Sequence, residues 1–179
     1  IFSAKKILKK DEPFAVFLPD EFLYSKNKTD DFKNMMKNFN NSKTGQILVE
    51  KVKNSEVSNY GIVDLNKKKI QPSKPQKIFN FVEKPLLKNS PSNYRIVGRY
   101  ILPYDMMTFI SKIKPGKNNE IQLTDALQKS VESKKNEYFA ILSESKIFDC
   151  GSVRGFLGAN LVLANEDAKL KKYLKEIII

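Results

Sequence analysis

Histidine and tryptophan are absent from the 179 residues, and cysteine occurs once, as Cys150. Without histidine the chain lacks the commonest general base and the commonest zinc ligand. A Ser–His catalytic triad and a His/Cys zinc cluster are therefore excluded. A single cysteine also excludes an intramolecular disulfide, and it fits a reducing compartment, so a cytoplasmic location is predicted.

Long apolar runs are also missing. No stretch approaches the roughly 20 apolar residues that a membrane-spanning helix needs, so no membrane partner is expected. The first six residues, IFSAKK, lack the charged-then-apolar order of a secretory signal and lack an initiator Met. We therefore expect the sequence to begin inside a longer reading frame or to follow processing. At 41% hydrophobic, it is long enough for one domain with a core, predicted over residues 1–179.

Basic residues outnumber acidic ones by 32 to 20, which gives a formal net charge of +12. Such an excess is compatible with nucleic-acid binding. The basic residues are mostly Lys, however, and they are spread along the chain in short groups such as 5–6, 67–69 and 134–135. We interpret them as a dispersed, solvated surface and expect no nucleic-acid partner. A phosphate-bearing small ligand is compatible with either interpretation.

Short apolar or alternating stretches predict strands along the chain, and residues 14–18 are continuously apolar, which is typical of a strand buried on both faces. Further strands are predicted at 46–53, 60–64, 79–84 and 93–102, with a pair of short strands at 138–142 and 146–148. Helices are predicted from Thr29, from Pro103 and from Glu120, and a final helix is predicted after a cap at Gly151 or Ser152. The alternation predicts an α/β sandwich around a mostly parallel sheet.

A stripe of Phe32, Met35, Met36 and Phe39 lies at helical spacing and is interpreted as core packing. Gly61, inside a strand pattern, indicates either the close approach of a ligand or backbone, or a plain bulge.

The strand at 79–84 presents Glu83 and Lys84 side by side before Pro85 ends the ladder. Adjacent strand residues point to opposite faces, so these two are not simply a mutual ion pair. At a strand end the acid could hold hydroxyls of a ligand and the ammonium its phosphate. The alternative is an ordinary strand terminus with solvated charges.

Two further acids each come after a predicted strand, Asp20 after the first strand and Asp149 after the last. In open α/β sheets ligands gather at the carboxyl ends of strands. If both strand ends converge, the two aspartates form the hard-oxygen pair that Mg²⁺ prefers, with phosphates and water completing its octahedron.

A series of motifs in this order resembles the bacterial UTP–glucose-1-phosphate uridylyltransferases: PFAVFLPD at 13–20, YGIVD at 60–64, VEKP at 82–85, GRYIL at 98–102, EIQLTDA at 120–126 and FDCGS at 148–152. The resemblance implies an α/β fold of the nucleotide-diphospho-sugar transferase type, a Rossmann-like mixed sheet flanked by helices. It implies that Asp20 and Asp149 bind Mg²⁺, that Gly61 lets backbone approach the sugar, that Glu83 holds sugar hydroxyls and that Lys84 meets the sugar phosphate.

The implied substrates are UTP and glucose 1-phosphate, the product is UDP-glucose, and a homo-oligomer is expected because family members commonly associate. The chain departs from the family pattern at Glu21, where a second Asp is usual, and at Val153, where a Lys is common, although Arg154 is adjacent.

The glycine-rich nucleotide loop that opens the family pattern and the segment that reads uracil are absent. We therefore expect a C-terminal portion that lacks the N-terminal nucleotide-binding part and is weak or inactive alone. The alternatives are another sugar 1-phosphate or nucleoside triphosphate, and a non-catalytic sugar-nucleotide-binding or assembly module.

Overall fold

A computed structural model of the chain describes residues 1–27, 29–72, 74–115 and 121–177. It divides into two compact units. The larger unit comprises Ile1–Phe17 and Asp30–Glu144, and the smaller comprises Leu18–Thr29 and Ser145–Ile179. A single domain over residues 1–179 stays a prediction.

The strands, in chain order, are β1 Phe14–Phe17, β2 Glu21–Tyr24, β3 Gly45–Lys51, β4 Gly61–Asp64, β5 Gln76–Ile78, β6 Asn80–Glu83, β7 Tyr94–Leu102, β8 Tyr138–Leu142 and β9 Lys146–Asp149. The helices are α1 Asp31–Ser42, α2 Met106–Ile110, α3 Leu123–Glu132, α4 Val153–Glu166 and α5 Ala168–Ile177. Helix α3 begins at Leu123, and the predicted start at Glu120 lies outside the described residues. No helix of the described residues is long and apolar enough to cross a membrane.

The larger unit is built on a seven-stranded sheet in the order β5-β8-β3-β7-β4-β6, with β1 also pairing with β7. Within the described residues, β3 and β8 pair in parallel and the remaining neighbours pair antiparallel. The predicted mixed sheet is confirmed, but the prediction of a mostly parallel sheet is wrong. Strand direction depends on how each connection returns the chain, because a parallel neighbour requires a crossover and an antiparallel one does not.

Strand β1 is half exposed, so the prediction that it is buried on both faces is wrong. Phe14 and Val16 are buried, whereas Ala15 is exposed and Phe17 keeps 51% of its surface accessible. The Phe17 ring packs against Phe32, with ring centroids 4.7 Å apart. An apolar strand sequence therefore covers one face of the sheet here rather than two.

Helix α1 begins where the sequence indicates, because the Asp30 carboxylate accepts a hydrogen bond from the Lys33 amide at 2.9 Å. Its apolar stripe is only partly core. Met35 is fully buried, whereas Met36 is 39% exposed. The core-packing interpretation is therefore confirmed for Met35 and wrong for Met36.

A buried tyrosine shows how tightly the sheet of the larger unit is packed. Tyr138 on β8 is fully buried, its hydroxyl lies 2.8 Å from Ser130 Oγ, and burial raises the pKa of the phenol well above its usual range. A Cβ on Gly45, the partner of Tyr138 in register, would lie 2.3 Å from the ring. Glycine at position 45 therefore makes room for the aromatic ring.

The smaller unit contains the antiparallel pair β2 and β9 followed by α4 and α5. The predicted cap at Ser152 is confirmed, because its hydroxyl accepts a hydrogen bond from the Gly155 amide at 3.0 Å. The helix predicted after this cap is α4, and a second helix, α5, was not predicted. The chain leaves helical geometry at Asp167, whose carboxylate caps α5 by accepting from Lys169 and Leu170.

Candidate functional site

In the larger unit, the pairing of β4 with β6 sets Gly61 opposite Glu83 in regular register. The bulge alternative for Gly61 is therefore wrong. A Cβ on Gly61 would lie 2.9 Å from Thr124 Oγ1 and 3.1 Å from Glu83 Oε2, closer than side chains tolerate. Because Gly61 has no side chain, the Thr124 hydroxyl, the Glu83 carboxylate and the Ile96 side chain can pack beside its backbone. This arrangement suits a ligand that carries hydroxyl groups.

Lys84 follows the last residue of β6 and has φ 44°, a left-handed conformation that is uncommon for a residue with a side chain. Its amide donates to the Tyr60 carbonyl at 3.0 Å. Its Nζ lies 3.9 Å from Glu83 Oε1, so the two side chains do form an ion pair, contrary to the sequence interpretation. Strand alternation no longer applies once the backbone turns at Lys84.

The Glu83–Lys84 pair is uneven in exposure. The Glu83 side chain is 20% exposed and the Lys84 side chain is 51% exposed. A long, half-solvated pair of this kind contributes little to stability. The ammonium is therefore open to an anion from solvent, while the carboxylate stays close to the Gly61 backbone.

In the smaller unit, Asp20 and Asp149 are brought together by the pairing of β2 with β9. Asp20 immediately precedes β2, Asp149 ends β9, and Glu21 pairs with Asp149 in register. The Cys150 amide donates to the Asp20 carbonyl at 2.7 Å. Asp20 comes after β1, as predicted, but the unpredicted strand β2 begins directly after it, and it is β2 that pairs with β9.

The two carboxylates border a common point next to Gly151. A Cβ there would lie 3.1 Å from Asp149 Oδ1 and 3.6 Å from Asp20 Oδ2. Asp149 Oδ1 also accepts from the Gly151 amide at 3.0 Å, which fixes the orientation of that carboxylate. The predicted convergence of the two aspartates is confirmed.

This pair of carboxylates fits a hard divalent cation. Within the described residues no group of three or more His, Cys, Asp or Glu side chains is placed to hold a metal ion. Two carboxylates are the usual protein share for Mg²⁺, which takes its other ligands from phosphates and water. The residues therefore suit a cation that arrives with a phosphate-bearing ligand.

Thr124 is a further residue near Gly61, and it was not among the candidate site residues. It lies near the start of α3, is buried, and directs Oγ1 toward the Gly61 backbone. Its position inside the EIQLTDA motif was the signal that could have identified it.

Comparison with known proteins supports the family suggested by the motifs. The sequence profile of the nucleotidyl transferase family matches residues 1–166. A UTP–glucose-1-phosphate uridylyltransferase of Haemophilus ducreyi is 37% identical over 170 residues, which cover 93% of this chain and 57% of the relative.

Solved structures agree in fold over nearly the whole chain. A UTP-bound UGPase from Acinetobacter baumannii matches with a TM-score of 0.84 at 33% identity, covering 99% of this chain and 59% of that protein. A UDP-glucose pyrophosphorylase complexed with UDP-glucose matches with a TM-score of 0.83 at 33% identity, covering 93% and 61%.

The chain thus spans about three fifths of the length of these relatives, with 57% of the Haemophilus ducreyi protein and 59% of the Acinetobacter baumannii protein covered. Enzymes of this kind generally use a divalent metal ion. The profile match and the shared mixed α/β fold confirm the resemblance that the motifs indicated. This chain belongs to the nucleotidyl transferase family.

Proposed function

We propose that this chain carries the sugar-phosphate site of a Mg²⁺-dependent uridylyltransferase that makes UDP-glucose and pyrophosphate from UTP and glucose 1-phosphate. The observation that carries the proposal is the Glu83–Lys84 pair, with the Glu83 carboxylate next to Gly61 and the Thr124 hydroxyl. The relatives add support, since one is bound to UTP and another is complexed with UDP-glucose. Self-association and a cytoplasmic location stay predictions.

Each residue of this site would recognise one part of glucose 1-phosphate. Glu83 would accept hydrogen bonds from sugar hydroxyls, and Thr124 borders the same space. Gly61 would present its backbone to the sugar, as the resemblance implies, and its lack of a side chain lets Thr124 and Glu83 pack beside it. Lys84 would place its ammonium against the phosphate. A carboxylate for hydroxyls and an ammonium for phosphate are chemically matched to the two ends of this ligand.

Asp20 and Asp149 would hold the Mg²⁺ ion, whose contribution when bound is to neutralise phosphate charge. In the reaction an oxygen of glucose 1-phosphate forms a bond to the α-phosphorus of UTP. The bond from that phosphorus to the α,β-bridging oxygen breaks, and pyrophosphate leaves with the electron pair. The nucleophile is already an anion, so the absence of histidine is no obstacle. Lys84 acts by holding charge and position.

We expect this chain to bind glucose 1-phosphate saturably and more tightly than either glucose or inorganic phosphate. The reason is that Glu83 and Lys84 would engage both ends of one molecule. Isothermal titration calorimetry with the three ligands measures the difference. Affinity equal to that of phosphate alone would contradict the proposal, because only the charge would then be recognised.

A pyrophosphate-release assay with UTP, glucose 1-phosphate and Mg²⁺, run on this chain with an N-terminal nucleotide-binding part supplied, distinguishes the transferase from a non-catalytic sugar-nucleotide-binding module. Release that requires both substrates and stops on chelation supports transfer. Other sugar 1-phosphates and nucleoside triphosphates in the same assay test the alternative substrates.

We expect Lys84→Met to weaken glucose 1-phosphate binding about ten- to a hundredfold, the usual effect of losing a charge-assisted hydrogen bond. Methionine keeps the length of the side chain and removes the charge. Lys88→Met is the matched control, since Lys88 is an exposed lysine of the same connection. Equal affinity of the two variants would remove Lys84 from the site.

A further inference from the structure

Arg95 is a buried charged residue to which the proposed reaction assigns no contact with a substrate. It lies on β7 and is only 3% exposed. Its Nε lies 2.7 Å from Glu50 Oε2 on the neighbouring strand β3. Burying a guanidinium is unfavourable unless it is paired, so the pair with Glu50 explains how Arg95 is tolerated but not what it does.

The same guanidinium lies over an aromatic ring next to the candidate sugar-phosphate site. Arg95 Cζ is 4.6 Å from the centroid of the Tyr60 ring, within the range of a cation–π contact. Arg95 pairs in register with Ile62 of β4, which keeps it beside the start of that strand. Tyr60 immediately precedes Gly61 and thus joins Arg95 to the site.

Tyr60 also holds the backbone of Lys84, because its carbonyl accepts the Lys84 amide at 3.0 Å. Lys84 has φ 44°, a conformation that persists in a residue with a side chain only when its surroundings enforce it. The Tyr60 carbonyl is one such constraint. Displacement of Tyr60 would therefore alter the backbone conformation of Lys84.

We propose that Arg95 is a positioning residue for the sugar-phosphate site. Held in place by its ion pair with Glu50, it packs over the Tyr60 ring and thereby fixes the backbone turn that orients the Lys84 side chain. The inference rests on the proposed function for its effect on ligand binding. The mechanical link from Arg95 to Tyr60 and on to Lys84 is independent of which ligand the site takes.

The first test removes the ring. Tyr60→Leu is expected to weaken glucose 1-phosphate binding about tenfold, consistent with loss of a desolvated cation–π contact. Tyr60→Phe keeps the ring and is expected to rescue the affinity. Arg95→Lys, which loses the planar stacking group, is expected to resemble Tyr60→Leu.

The second test follows the Lys84 amide by hydrogen exchange. Tyr60→Leu and Arg95→Lys should speed its exchange, whereas the Gly45 amide, bonded to the Glu137 carbonyl at 2.9 Å, should be unaffected. Ser143→Ala is the control for general destabilisation, since it removes a partly buried hydrogen bond to Asp31 elsewhere in the larger unit. It should lower the melting temperature and leave both readouts at the site unchanged.

The outcomes separate the two ideas. If the unaltered chain does not bind glucose 1-phosphate, the proposed function fails, and the Lys84 exchange rates still decide the positioning role. Unchanged exchange at Lys84 in Tyr60→Leu overturns the inference. An effect of Ser143→Ala on affinity as large as that of Tyr60→Leu also overturns it, because stability alone would then explain the loss.

Discussion

Gly155→Ala is expected to destabilise the smaller unit by at least about 3 kcal/mol, the upper end of the usual overpacking cost. A Cβ at position 155 would lie 1.9 Å from the Asp149 carbonyl oxygen and 2.6 Å from its carbonyl carbon. These are backbone atoms, which cannot move aside as the end of a flexible side chain can. Helix α4 would have to leave its contact with the end of β9.

Urea unfolding followed by circular dichroism measures this loss. Gly158→Ala in the same helix is the matched control, because its Cβ would meet only the Phe148 ring at 3.0 Å, which can shift. Both substitutions gain the same helix propensity, about 1 kcal/mol. Equal stability of the two variants would contradict the argument. The expected damage also reaches the candidate metal site, since the clash falls on Asp149 itself.

Asp149→Asn is expected to weaken divalent-cation binding by more than about tenfold, since loss of even an outer partner of a metal ligand costs that much. The substitution preserves shape. The Asn oxygen can still accept from the Gly151 amide, as Asp149 Oδ1 does at 3.0 Å, so the turn should remain intact. What changes is the charge and the second carboxylate oxygen, which would be available to bind the cation. Asp20→Asn is expected to act in the same way.

Mn²⁺ binding followed by electron paramagnetic resonance measures this effect without any need for turnover. Glu176→Gln removes an equal charge from an exposed position of α5 and should not alter binding. In a preparation that releases pyrophosphate, the two aspartate variants should also lose most of their turnover. Binding and turnover close to those of the unaltered protein would refute the metal assignment.

Local sequence signals predicted much of the fold and of the candidate site. Ser152 caps the helix that it was expected to cap, and α1 begins at the predicted helix start, where Asp30 is the cap; in both cases the capping side chain bonds the backbone three residues away. Alternation located β3 and β7, the neighbours at the middle of the sheet. The motif series identified the family, and Gly61, Glu83, Asp20 and Asp149 emerged from it as candidates whose roles stay proposals.

Local sequence signals did not predict which strands pair with each other. Of the strand predicted at 79–84, only residues 80–83 form β6. Phe79 lies before it, with its amide bonded to the Asp64 carbonyl, and the backbone turns away from the sheet at Lys84. Strand β2 has no distinctive pattern and exists because β9 pairs with it. The pairing of β2 with β9 brings Asp20 next to Asp149.

The sequence by itself determined the Ser152 cap, the positions of the main strands and the chemical types that the site presents. Only the tertiary structure decided the strand directions, the exposure of Phe17, the position of Thr124 beside Gly61 and the packing of Arg95 over the Tyr60 ring. The reason is physical. Caps and alternation depend on neighbours a few residues away, whereas Arg95 meets Glu50 and Tyr60 only after three strands have paired.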